Sequence, residues 1–162
     1  IYININKVSC ALNNCRFDNC LGKLGGAIYY KSSNYKNANL CSIYNVLFTN
    51  CEAINGGALY IKTGKIEVCT FKNNKALLNG GAIYSVSRKK ISIQRCIFVN
   101  NEAALGSSMW CSVGLINGTS HYKLILYNNT FIFTAKKNNL INVYKTTVSS
   151  FVNHTNLNEK SL

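Results

Sequence analysis

Short runs in which apolar and polar residues alternate recur along this chain: IYINI at 1–5, KISIQ at 90–94 and KLILY at 123–127. A period of two places every second side chain on one face of a β-strand. No segment carries apolar residues at three- and four-residue spacing over twelve positions, so helix has no support. Asn is the commonest residue, Gly pairs recur and Pro is absent, which suits strands joined by tight turns. The pattern predicts an all-β chain.

The phenylalanines reveal how those strands are organised. Phe17, Phe48, Phe71 and Phe98 head the segments FDNCLGKLGGAIYY, FTNCEAINGGALYI, FKNNKALLNGGAIYS and FVNNEAALGSSMWC. They are 31, 23 and 27 residues apart, and each stands eight or nine residues before its Gly-Gly or Gly-Ser pair. A period in the twenties that varies by insertion marks a solenoid. Cys69, Phe71 and Asn73 alternate with Thr70 and Lys72, as Cys96, Phe98 and Asn100 do with Ile97 and Val99. Two or three short strands per repeat, turned by Asn and Gly-Gly corners, wind into a parallel β-helix. Leucine-rich and helical repeats lack their spacings here. Residues 1–162 then form one β-helix domain of about five to six coils, roughly 25 to 30 Å tall. Regular repeats span 10–111, and 112–162 holds degenerate coils around Phe131 and Phe151.

The pattern F-x-x-N-x-A followed by G-G-A-I-Y resembles the repeats of the polymorphic membrane proteins, bacterial surface adhesins, and of similar surface proteins in protists. Phe71, Asn74, Ala76, Gly80, Gly81, Ala82 and Ile83 match it in full; Phe98, Asn101 and Ala103 match its first half. Gly106, Ser107 and Ser108 loosen the second half, and Cys20 and Cys51 replace the Asn in the first two coils. The resemblance covers about residues 10 to 111. It implies a right-handed β-helix and, in the bacterial family, an adhesive passenger domain at the cell surface. The terminal membrane barrel of that bacterial family is absent from this sequence.

Parallel stacking brings equivalent residues about 4.8 Å apart, so the alignment predicts contacts. Phe17, Phe48, Phe71 and Phe98 should stack in the core. Asn19, Asn50, Asn73 and Asn100 should form an amide ladder at a corner. Tyr29, Tyr60, Tyr84 and Trp110 should form a third column, opposite Ile28, Leu59, Ile83 and Met109, with the aliphatic residues inward. Such an aromatic face either stacks sugar rings or merely shields the sheet, since cross-strand aromatic pairs stabilise by up to about 1 kcal/mol each.

The cysteines share ranks too. Cys10 and Cys41 lie seven residues before their phenylalanines, Cys20 and Cys51 three after, and Cys69 and Cys96 two before. The stacking distance falls in the disulfide window, so oxidation should bridge coil to coil. The competing reading is buried reduced thiols. Cys15 and Cys111 lack partners of equal rank on a neighbouring coil. Zinc is not expected: no C-x-x-C occurs, and His121 and His154 lie in the degenerate tail. No cofactor is implied.

Charge changes the picture in one respect. Eighteen Lys and Arg against five Asp and Glu give +13, which draws a protein toward sulfated glycans, anionic lipid or nucleic acid. The basic residues are spread, with Arg88, Lys89 and Lys90 the one tight cluster, so a solvated basic surface competes with a ligand face and no specific nucleic-acid site is expected. Glu52, Lys75 and Glu102 share the rank four after Phe, an alternating column that avoids like-charge contact. Sequons stand at Asn117, Asn128 and Asn153, roughly as many as chance supplies in so Asn-rich a chain. Catalysis needs convergent carboxylates, and Asp18, Glu52, Glu67, Glu102 and Glu159 share no common rank beyond the Glu52–Glu102 pair. No run of eighteen apolar residues appears. The sequence therefore points to a non-enzymatic extracellular or cell-surface module, acting in adhesion on protein or glycan or as an end-to-end assembly subunit. A carbohydrate-binding or polysaccharide-cleaving helix of the pectin-lyase type is the alternative.

Overall fold

Left-handed backbone at three points of each coil turns extended chain into a solenoid. In the computed structural model, which describes residues 1–5, 9–32, 41–87, 90–113, 124–133, 141–144, 148–152 and 155–158, these points form columns. One holds Asn14, Asn45, Val68, Arg95 and Asn128, with φ of 47 to 57°. The second holds Asn19, Asn50, Asn73 and Asn100, φ 48 to 55°. Gly25, Gly56, Gly80 and Gly106, φ 59 to 65°, make the third. Asn tolerates this region because its short side chain bonds locally, and Gly has no Cβ to clash.

Strands fill the sides between corners. After β1 (Tyr2–Ile5) come β2 (Cys10–Asn13), β3 (Arg16–Asp18) and β4 (Ile28–Ser32). The next coil has β5 (Cys41–Tyr44), β6 (Leu47–Thr49), β7 (Glu52–Asn55) and β8 (Leu59–Ile61). Then follow β9 (Gly64–Glu67), β10 (Thr70–Lys72), β11 (Lys75–Asn79) and β12 (Ile83–Ser87). A fourth coil contributes β13 (Ile91–Gln94), β14 (Ile97–Val99) and β15 (Met109–Val113). Beyond it lie β16 (Leu124–Tyr127), β17 (Thr130–Phe133), β18 (Ile141–Tyr144), β19 (Val148–Val152) and β20 (Thr155–Asn158). Every pairing is parallel and joins equivalent strands of adjacent coils. Three sheets are six strands deep: β1-β4-β8-β12-β15-β18, β2-β5-β9-β13-β16-β19 and β3-β6-β10-β14-β17-β20. A narrower side pairs β7 with β11 and is extended by single bridges from Leu21 to Glu52 and from Lys75 to Glu102. The described residues contain no helix, hence none long and apolar enough to cross a membrane.

Register puts equal ranks in contact. Phe17 pairs with Phe48, Phe48 with Phe71, Phe71 with Phe98 and Phe98 with Phe131. Their rings stack at centroid separations of 4.8 to 5.3 Å and are buried from Phe48 to Phe131. Ile28, Leu59, Ile83 and Met109 close the core from the Gly-Gly side. The second glycine of each pair permits the close approach there: a Cβ on Gly57 would sit 2.1 Å from the Gly81 carbonyl oxygen, and one on Gly81 2.0 Å from that of Ser107.

The amide ladder lies one residue later than the alignment suggests. Asn19, Asn50 and Asn73 are exposed and bend the backbone. The buried amides are Asn74 and Asn101, with Asn129 at the neighbouring corner. Asn74 Oδ1 accepts the backbone N–H of Cys51 at 3.0 Å, and its Nδ2 donates to the Phe48 carbonyl at 3.1 Å. Asn101 repeats the arrangement one coil on, taking the N–H of Asn74 at 3.0 Å and giving to Phe71 at 2.9 Å. Asn129 takes the N–H of Cys96 at 2.9 Å and gives to Ile93 at 3.0 Å. Each side chain thus satisfies two buried backbone groups on the previous coil, groups that would be costly to leave unpaired.

Candidate functional site

The outer face of the β1-β4-β8-β12-β15-β18 sheet carries the most continuous feature on the surface. Alternation turns Ile28, Leu59, Ile83 and Met109 inward, so their successors Tyr29, Tyr60, Tyr84 and Trp110 must face out. All four are half-buried. Tyr2, in register with Tyr29, extends the column, and Trp110 ends it opposite Asn142. Ring centroids stand 5.1, 4.8, 5.0 and 4.7 Å apart from Tyr2 to Trp110. Ala27, Ala58 and Ala82, which share the aromatic parity, are buried beside the glycine corner.

Spacing this tight decides what the column can offer. Centroids this close leave no gap along the axis for a flat guest, while the rings range from stacked, at 10° between Tyr84 and Trp110, to edge-on, at 77° between Tyr29 and Tyr60. Burial pushes the Tyr60 phenol up to about 12, aided by Tyr84 and Tyr29, and burial raises Tyr84 as well. Both remain neutral hydrogen-bonding groups at physiological pH.

Two residues beyond Tyr29 and Tyr60, Lys31 and Lys62 share the outward face. Ile91 pairs with Gly64 in β9, so Lys90 stands beside Thr63, whose hydroxyl donates to the Lys90 carbonyl at 3.1 Å. Lys90 is exposed; Arg88 and Lys89 lie outside the described residues. Lys31 and Lys62 escape a search for basic clusters because 31 residues separate them. Their shared rank after the column tyrosine was the available signal.

The carboxylates are occupied elsewhere. Asp18, on the β3 sheet, accepts Thr49 Oγ1 at 2.6 Å and Asn50 Nδ2 at 3.2 Å and pairs with Arg16 at 3.2 Å. These contacts, Thr49 foremost, hold its carboxyl below the usual range. Glu67, at the end of β9, pairs with Lys65 and Arg95, and its carboxyl is lowered chiefly by Lys65. Glu52 and Glu102 flank Lys75 in backbone register on the narrow side. Glu159 lies outside the described residues. Among those residues no three His, Cys, Asp or Glu side chains gather as a metal site.

All eight thiols are unbridged. Cys10 and Cys41 are direct register partners, Cys51 faces Cys20, and Cys69 faces Cys96. Burial drives Cys41 up to about 12, with Cys10 contributing, and Cys51 to about 11. Burial also raises Cys96, whose thiol bonds toward Cys69 and makes Cys69 the more acidic sulfur of that pair. Unexpected from sequence is their hydrogen bonding. Cys51 Sγ reaches the Phe17 carbonyl at 4.0 Å, Cys69 that of Ile43 at 3.6 Å and Cys96 that of Ile66 at 3.8 Å. Asn74 and Asn101 serve the carbonyls equivalent to that of Phe17, and Asn129 the one equivalent to those of Ile43 and Ile66, so thiol and amide are alternative fillers at two corners.

Of the sequons, Asn128 is exposed at a corner, while Asn117 and Asn153 lie outside the described residues. An open cavity of about 390 Å³ at the first coil is lined by Ile1, Tyr2, Leu21, Lys23, Leu24 and Tyr29, among others.

The repeat model of the Chlamydia polymorphic membrane protein family matches residues 68–86. That stretch runs from the Val68 corner through Phe71, Asn74 and the Gly80–Gly81 pair to the outer tyrosine, and the parallel solenoid around it fits repeats of this type. No curated protein and no solved structure matches the chain.

Proposed function

We propose that this solenoid is a non-enzymatic surface module that presents its outer sheet for adhesion. The observation that carries the reading is the unbroken column Tyr2–Tyr29–Tyr60–Tyr84–Trp110 on one parallel sheet. A repeat matching a membrane-protein family supports placing it at a cell boundary. Repeat proteins commonly recognise partners through such extended faces, and aromatic residues dominate contact energetics where they are half-exposed. Dispersal of the described carboxylates over three other sides favours binding over polysaccharide cleavage.

In an oxidising surroundings the registered thiols gain a role. A small-molecule disulfide oxidant would be attacked first by half-exposed Cys10 or Cys20, releasing one of its thiols, and buried Cys41 or Cys51 would then displace the second thiol to close the coil-to-coil bond. Closing a loop of about thirty residues stabilises by roughly 3 to 4 kcal/mol in the chain-entropy model. A glycan on Asn128 would project from a corner, clear of the aromatic face.

Labelled protein on intact host cells provides the test. Saturable binding, lost on Tyr84→Ala plus Trp110→Ala while the far-ultraviolet β-signal is retained, is the expected result. Undiminished binding by the double variant would refute adhesion through this face.

A further inference from the structure

Charge is partitioned around the solenoid, and one side is left uncompensated. Among the described residues the carboxylates Asp18, Glu52, Glu67 and Glu102 all lie off the β1-β4-β8-β12-β15-β18 sheet, each beside a basic residue. The strands of that sheet contain no acid at all. Along its margin Lys31, Lys62 and Lys90 stand on three successive coils, Lys31 following the Tyr30–Ile61 register pair and Lys90 beside Thr63. None of the three ammonium groups has a hydrogen-bond or ion-pair partner among the described residues. Coils rise about 4.8 Å each, so Lys31 and Lys62, equal in rank, stand one step apart and Lys90 follows on the next coil at the corner beside Thr63, an uneven staircase of like charge that costs stability unless an anion intervenes.

Immediately beside the staircase runs the tyrosine column. The phenols of Tyr29, Tyr60 and Tyr84 likewise have no hydrogen-bond partner among the described residues, and each donates and accepts one proton-bearing contact. The hydroxyls thus follow the axis in register, with Lys31 and Lys62 in register beside them and Lys90 set off round the corner, where Val86 holds the third place of their rank. That is the complement of a linear chain bearing anionic groups on one side and hydroxyls on the other.

We propose that this face binds a linear acidic polysaccharide, sulfated or uronate-bearing, laid along the solenoid axis. Its anionic groups pair with Lys31, Lys62 and Lys90, its hydroxyls with Tyr29, Tyr60 and Tyr84, and its ring C–H groups rest on the exposed part of Trp110. Nucleic acid fits less well: single strands bind chiefly by stacking bases on aromatic faces, and here rings with centroids 4.7 to 5.0 Å apart leave no room for a base between them. The assignment rests on the adhesive reading above, but the two fail separately.

Heparin oligosaccharides titrated against the full chain test the proposal, with a phosphodiester oligonucleotide of equal charge as competitor. The combined variant Lys31→Gln, Lys62→Gln and Lys90→Gln should weaken heparin binding at least about tenfold, the sum of three exposed ion pairs. Tyr60→Phe, which keeps the ring and deletes the hydroxyl, should weaken it further by a few-fold. Lys72→Gln, an exposed lysine on the β10 strand, should leave affinity within about twofold, because one distant screened charge contributes little. Equal losses from Lys72→Gln and from any single margin lysine would reduce the effect to net charge and overturn the proposal. Tighter binding of the oligonucleotide than of heparin would overturn it in favour of nucleic acid. Cell binding that persists while heparin binding is absent would overturn this assignment alone and leave the adhesive module standing.

Discussion

The phenylalanine column inside the solenoid stacks with interplanar angles of 4 to 12°, whereas the Tyr–Trp column outside the same coils ranges from 10 to 77°. Separations hardly differ, since both are imposed by the backbone step between parallel strands. Orientation differs because the inner rings are walled in by aliphatic side chains and the outer rings are not. Dense interiors leave a ring one rotamer; a solvated face leaves several. The inner column therefore specifies register, and the outer one is free to adapt to what it meets.

Truncation separates the two columns most sharply. Phe71→Ala should destabilise by about 3 to 5 kcal/mol through lost burial and a cavity between stacked neighbours. Tyr60→Ala, at the same level outside, should lose no more than about 1 kcal/mol. Comparable shifts in the urea midpoint would dissolve the distinction. Next in size is Asn101→Leu, which leaves the Asn74 N–H and the Phe71 carbonyl buried without partners and should lose about 2 to 4 kcal/mol, read by the same denaturation.

Alkaline titration probes the columns without truncating either. The inner column carries no ionisable group, while Tyr60 outside has its phenol raised from 10.0 to about 12. A raised folded value means that the stabilising contribution is intact below pH 10 and falls as pH climbs from 10 toward 12. Buried Cys41, raised from 9.0 to about 12, adds a decline of the same sign that begins nearer pH 9. Tyr60→Phe should remove the upper part of the decline in melting temperature and leave the thiol part. An unchanged profile would place Tyr60 in the ordinary range and make the outer column more open than described. The smallest effect concerns the corner that leads to Phe71. Val68→Asn should stabilise by about 0.5 to 1 kcal/mol, because a β-branched residue is strained at φ 57°; a loss of stability would show that the valine packs usefully there.

The coil, its register and both aromatic columns were legible because identical ranks recur at fixed distance from each Phe. Misplacement of the amide ladder has a definite origin. Asn73 and Asn74 are adjacent and chemically identical, and the sequence does not say which bends the chain and which bonds across it. Substitution by Cys20 and Cys51 at the second position was the clue, since a thiol can replace an amide as a hydrogen-bonding corner filler but confers no left-handed preference. Val68 and Arg95 hid the first corner for the opposite reason: neither residue type advertises positive φ. The margin lysines were invisible to local charge counting because the fold, not the chain, gathers them.

Since each bend is made by a single residue within its own turn, a turn is also a unit of length. Duplication or deletion of one would lengthen or shorten the rod by about 4.8 Å while leaving its cross-section untouched. If the outer face holds a polymer as proposed, contacts added in this way would multiply along one strand and avidity would be set by copy number alone, with no new binding chemistry to invent.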